Sequence, residues 1–185
     1  MTMDRRASTR LAILLCIGVV ATAALVAPMG ALAKHDRDPL RVRFEPPLTF
    51  EEGTSACPGG IARFGISALG KTGSAMNCLQ PFNAVHCPPT VEALFCQKAP
   101  LLMTLRLPGG EIEADLTLFE IWRCGDPGCE TLAIDQQWPG IVVEAKRRFH
   151  KLVDAAVTGG GLAVFDAETF ELLSLDEEIV IRSDD

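Results

Sequence analysis

The sequence predicts a single, mainly β domain, either a barrel or a sandwich, and three observations predict it. Apolar residues alternate with polar ones on both sides of a Pro-Gly-Gly turn in residues 101–118. Short apolar runs bounded by Gly, Pro, Asn and Asp recur through the rest of the chain. Six cysteines follow an N-terminal segment with the features of an export signal, so loops in the domain are expected to be pinned by disulfides. Neither an internal repeat longer than a hairpin nor a dividing linker interrupts the pattern.

The chain has 185 residues, 48% of them hydrophobic, and a formal charge of −7, which fits one globular domain and excludes a disordered acidic tail. Residues 1–33 read as a signal peptide. Arg5, Arg6 and Arg10 precede an uncharged run from Leu11, and Pro28 and Gly30 break it ahead of Ala31-Leu32-Ala33. An uncleaved anchor competes with this reading, since residues 11–33 carry no charge, but Pro28 shortens the helix-competent part to residues 11–27. In either case the arginines stay inside and the domain is delivered to the periplasm or the exterior. After cleavage no stable membrane span is expected. Cys16 makes a poor lipid-attachment site because Leu15 precedes it, and Arg5-Arg6 lacks the rest of a twin-arginine motif.

The expected mature chain has 152 residues and a charge of −9, from 14 basic and 23 acidic side chains. That balance argues against nucleic acid as a partner, since phosphate binding needs clustered cations and Lys146-Arg147-Arg148 is a small solvated patch. The mature cysteines are Cys57, Cys78, Cys87, Cys96, Cys124 and Cys129. Cys124 with Cys129 is the most local pairing, because Gly125-Asp126-Pro127-Gly128 is turn chemistry. Cys87 with Cys96 and Cys57 with Cys78 follow by adjacency. Zinc is the alternative use of such cysteines, but CxxC knuckles are absent.

Residues 34–39 form a polar, mobile start, and residues 40–185 the domain. Residues 40–100 hold four of the six cysteines and many of the glycines and prolines, so irregular loops between short strands are expected there, with strands at 41–44 and 61–68. In the hairpin that follows, Met103, Leu105 and Leu107 share one face of the first strand, and Ile112, Ala114, Leu116 and Leu118 share one face of the second. The parity is less clean at residues 119–122, which marks a bulge or a strand covered on both sides. A strand is expected at 136–143, a short helix or helical loop at 146–155 that Gly159-Gly160-Gly161 stops, and strands at 162–165, 170–175 and 179–182.

Residues 101–182 then carry a resemblance. LPGGEIEADLTLF followed by RRFHKLVDAAVTGGG resembles the secreted barrels related to allene oxide cyclase and dirigent proteins, in which a gGtGrFagatG loop introduces a final β hairpin. Arg148, Phe149, Ala155, Val157, Thr158 and Gly159 occupy that pattern, whereas residues 144–147 stand where the family keeps glycines and Asp154 stands near another. The resemblance implies an antiparallel barrel of eight strands with an apolar lumen; with the cysteines and the segment at 146–155, the expectation is a single antiparallel β-barrel of about eight strands with disulfide-pinned loops and at most one short helix. Some such barrels direct cyclisation or coupling of reactive intermediates chiefly by shape. The resemblance carries none of the plant enzymes' functional residues over to this chain.

Other motifs speak to chemistry. GISALGKT, residues 65–72, satisfies the phosphate-binding pattern G-x-x-x-x-G-K-[ST], but Gly73 and Pro81 leave no room for the helix that a phosphate loop needs. No nucleotide or other cofactor is therefore expected, and no metal. His35, His86 and His150 form no evident triad, Cys87 beside His86 is expected to be oxidised, and no G-x-S-x-G elbow exists. Glu111, Glu113 and Asp115 share a strand face, with Arg106 across the hairpin. They are the catalytic candidates, since carboxylates two apart on a strand suit acid/base work, although a solvated outer face shows the same alternation. Trp122 and Trp138 either floor a ligand pocket or pack in the core, and core packing is the expectation.

Three classes of function fit these features. One is a barrel that binds a small apolar ligand or is purely structural. A second is a cyclase-like or isomerase-like enzyme acting on an apolar substrate in the lumen. The third is a secreted protein held rigid by disulfides to meet a protein partner. A polar group deep in an open lumen favours the second class, and a filled core with exposed rigid loops favours the third.

Overall fold

The computed structural model describes residues 38–183, so the expected signal peptide at residues 1–33 and most of the polar start lie outside the described residues. Ten strands form one antiparallel sheet: β1 (Leu40–Glu51), β2 (Ile61–Ala68), β3 (Lys71–Leu79), β4 (Asn83–Val85), β5 (Phe95–Leu107), β6 (Gly110–Cys124), β7 (Thr131–Gln137), β8 (Gly140–Ala145), β9 (Ala156–Asp166) and β10 (Leu172–Arg182). Pairing of β5 with β6 closes the sheet on itself. Around the circumference there are eight positions, because two strands are interrupted. β7 pairs with the upper part of β6 and β8 with its lower part, while β4 continues the line of β3 beside β5. The result is an up-and-down barrel without a free edge along most of its length.

The Leu101–Trp122 hairpin has the register its alternation implies: Met103 faces Ala114 and Leu105 faces Ile112. All four are fully buried and point inward, with Val42, Ile179 and Ile181. Register in β5–β6 continues unbroken through Phe119–Trp122, so that stretch contains no bulge. Its irregular parity arises because the strand is covered on both sides: Glu120 points inward, and Ile121 is buried outside opposite Cys96.

Several expectations need correction. The segment before Pro100 is more regular than its composition suggests, since β3 is a full strand paired to both β2 and β5. Residues 65–72 are a hairpin: Leu69 and Gly70, with φ of 53° and 69°, make a two-residue turn between β2 and β3. The phosphate-loop pattern thus has strands on both sides. The helix over 146–155 shortens to a 3₁₀ helix at Arg147–Leu152. Gly159–Gly161 do not stop it, but lie inside β9. A Cβ at Gly161 would sit 2.6 Å from the Glu177 Cα, and one at Gly159 would sit 2.5 Å from Ile179 Cγ2, so glycine lets β9 and β10 approach. The strands expected at 170–175 and 179–182 are one strand, β10, with Phe170 outside it at φ 57°.

The two ends of the barrel differ. At one end lie the tight β2–β3 and β5–β6 turns and the 3₁₀ helix, whose Phe149 inserts into the core. Backbone hydrogen bonds from Lys146 to Glu111 and from Arg148 to Gly109 fasten this plug to the β5–β6 turn. At the other end lie the longer connections β1–β2, β3–β5, β6–β7 and β9–β10. All three disulfides sit here: Cys57–Cys78, Cys87–Cys96 and Cys124–Cys129. They are the three pairs expected from adjacency. The barrel is a cup with a sealed base and a cross-linked rim, and its disulfides favour an extracytoplasmic location.

Candidate functional site

The upper half of the cup is open. A cavity of about 700 Å³ enters from the rim and ends on the side chains that fill the lower half. Its volume suits a small organic molecule. Trp138, almost fully buried, forms part of the floor and packs edge-on against Phe44 at 4.8 Å. Phe44 in turn meets Phe64 at 5.3 Å. Trp122 lines the wall and stacks on Phe95 at 5.1 Å, while Phe50 and Phe170 stand exposed at the mouth. Seven of the chain's eleven aromatic side chains, both tryptophans among them, face this one space. Core packing and pocket lining therefore coincide at Trp138, and at Trp122 the pocket reading prevails.

A polar belt crosses the apolar wall. Strand register places Gln97, Glu120, Gln136, Gly161 and Glu177 as successive cross-strand partners on β5, β6, β7, β9 and β10. Directly opposed residues bring their Cβ atoms within about 5.5 Å, which makes Gln97, Glu120 and Gln136 neighbours, while Gly161 stands between Gln136 and Glu177. Glu120 Oε2 accepts hydrogen bonds from Gln97 Nε2 at 2.6 Å and Trp122 Nε1 at 2.9 Å, and its Oε1 accepts one from Gln136 Nε2 at 2.9 Å. Burial pushes the Glu120 carboxyl above the usual glutamate pKa, and the three donated hydrogen bonds pull against that shift.

Glu177 is 1% exposed, and its Oε2 has no hydrogen-bond partner. Burial, and secondarily the charge of Glu120, push its pKa up to about 8, so at neutral pH it is mostly a neutral acid. Gly161, lacking a side chain, leaves the space over which Glu177 lies. Asn77 Oδ1 and Trp138 Nε1 are also buried without partners, and both residues line the cavity. Unsatisfied buried polar atoms are uncommon in folded proteins, and here two of the three belong to residues lining the cavity.

The candidates read from the sequence lie elsewhere. Glu111, Glu113 and Asp115 are on the outer face of β6, and none of them, nor Arg106, lines the large cavity. Glu111 is bound by Arg106 at 2.9 Å and Lys146 at 3.0 Å, which hold its carboxyl below the usual range. His150 is exposed on the 3₁₀ helix, and its Nδ1 lies 2.9 Å from the Arg147 carbonyl. All six cysteines in the described residues are joined in disulfides and supply neither a thiolate nor a metal ligand.

Sequence reasoning missed Glu120, Gln97, Gln136, Glu177 and Asn77, although each breaks an apolar series at inward parity. Glu120 continues Ile112, Ala114, Leu116 and Leu118, and Glu177 stands between Leu175 and Ile179. A polar residue in phase with the core is the signal that marks them. The chain matches no family model, no curated protein and no solved structure.

Proposed function

We propose that the protein is an exported cup that binds a small, largely apolar molecule in the upper half of its barrel, with the ligand's polar group directed to the belt at Glu120. The observation that carries this reading is the open cavity itself: small barrels fill their interior with side chains unless a ligand occupies it, and here only the lower half is filled. Export through the segment at residues 1–33 and a periplasmic or secreted location accord with the three rim disulfides. Kinship with the allene oxide cyclase and dirigent barrels belongs to the same proposal, since those proteins also use an apolar lumen.

The experiment is a titration of the mature protein with N-phenyl-1-naphthylamine, a neutral apolar fluorophore. Both tryptophans line the cavity and the chain has no tyrosine, so energy transfer from tryptophan reports occupancy directly. Saturable binding of one probe per chain supports the proposal, and absence of saturable transfer refutes it.

One observation favours a second reading, an isomerase-like or cyclase-like enzyme. Glu120 and Glu177 are two inward carboxyls in one belt, one receiving three hydrogen bonds and the other kept protonated near neutral pH. Carboxyls whose environments separate their protonation states can serve as base and acid. Turnover of an apolar substrate that Glu120→Gln abolishes while binding persists would establish this reading over simple carriage.

A further inference from the structure

The belt also bears on the ligand's charge. Among the described residues that line the cavity, the only charged side chains are Glu120 and Glu171, both acidic. Lys, Arg and His are missing from that lining, so the described walls of the cup offer Glu120 hydrogen bonds but no countercharge. Buried charges in proteins are ordinarily paired. Asn77 Oδ1, a buried acceptor without a donor, lines the same space. Aromatic rings make up the largest part of the wall, and their faces attract cations.

On the reading that the cup binds a small apolar molecule, we infer that this molecule is a cation: a lipophilic amine whose ammonium group sits at Glu120 while its hydrocarbon part lies against the aromatic wall. An ammonium carries three N–H donors, no acceptor and a positive charge, which matches a buried carboxylate that only accepts hydrogen bonds and has no countercharge in the cavity lining. A carboxylate-bearing lipid would place like charge against Glu120 with no cation nearby to offset it. An alcohol would satisfy one acceptor and leave the charge of Glu120 unpaired.

The test compares n-octylamine, n-octanol and n-octanoate, which share one chain and differ in head group, by isothermal calorimetry and tryptophan emission at pH 7.5. The structure leads to octylamine binding at least ten-fold more tightly than octanol, with octanoate weakest. In Glu120→Gln the ratio of octylamine to octanol affinity is expected to fall from at least ten to about one, whatever the variant's affinity for octanol. Should that variant fail to fold, the ranking of the three compounds on the native protein decides alone. Octanol binding as tightly as octylamine, or octanoate binding more tightly than either, overturns the assignment of a cation and leaves the lumenal site standing. Failure of all three to bind overturns the lumenal reading as well.

Discussion

Replacing Glu177 with Gln probes the belt through its effect on stability. In the folded protein Glu177 titrates at about 8, against an ordinary value of 4.5. Between those two values the unfolded chain has released this proton and the folded chain still holds it. The native state then binds more protons, so stability contributed at this position is fully present below pH 4.5 and declines as pH rises toward 8. Each pH unit within the window is worth about 1.4 kcal/mol, so from pH 5 to pH 9 the native protein should lose about 4 kcal/mol that Glu177→Gln retains.

Glutamine preserves the shape of the protonated acid and cannot ionise. The other carboxyls, including Glu120, titrate in both proteins, so the difference between the two curves isolates position 177. Urea unfolding followed by tryptophan fluorescence at intervals from pH 5 to 9 measures it. A gap that widens with pH in favour of the variant is the expected result. Parallel curves would refute the claim that Glu177 is held neutral by its buried place in the belt.

Other consequences concern the two ends of the cup and its outer face. Phe149→Ala, which removes the plug from the base, should cost about 3 kcal/mol in urea unfolding, as for other large buried aromatics. Replacing both Cys57 and Cys78 with Ser opens a loop of 21 residues' separation and should cost about 3 kcal/mol, with a larger loss of protection from hydrogen exchange at the rim than at the base. Thiol reagents should label none of the six cysteines of the unfolded, unreduced domain, and peptide mapping should return the three adjacent pairs. Glu113→Ala and Asp115→Ala should leave binding of N-phenyl-1-naphthylamine within two-fold of native, because both side chains face outward from β6.

What could be read from the sequence follows the range of the interactions involved. The Pro-Gly-Gly hairpin and the Cys124–Cys129 turn are local, so alternation and turn chemistry suffice to locate them. The three disulfides follow the chain because an up-and-down barrel keeps sequence neighbours adjacent in space. Gly159–Gly161 were misleading for the opposite reason. Three glycines read locally as a break, yet their role is set by β10, which needs close approach opposite Glu177 and Ile179.

The site suffered most from this limit. Glu111, Glu113 and Asp115 attract notice because they are close together in sequence, whereas Gln97, Glu120, Gln136 and Glu177 meet only through register on four strands. Each interrupts an apolar series at inward parity, and at Glu120 the interruption takes the form of irregular parity over Phe119–Trp122. It reflects a charged residue pointing inward and an isoleucine covered on the outside, neither of which alternation can distinguish from a bulge.

The central claim is that the ligand sits inside the upper barrel, and a cavity-filling substitution tests it most directly. Ala62 lines the cavity and pairs with Phe50 of β1 and Asn77 of β3, on a strand that carries no residue of the Gln97, Glu120, Gln136 and Glu177 belt, so Ala62→Phe places a ring in the ligand's space. Calorimetric titration with n-octanol, alongside a thermal melt to establish that the variant is folded, should show one site per native chain and at least a ten-fold loss of affinity in Ala62→Phe. Equal affinity in the native protein and the folded variant would place the ligand elsewhere and contradict the account.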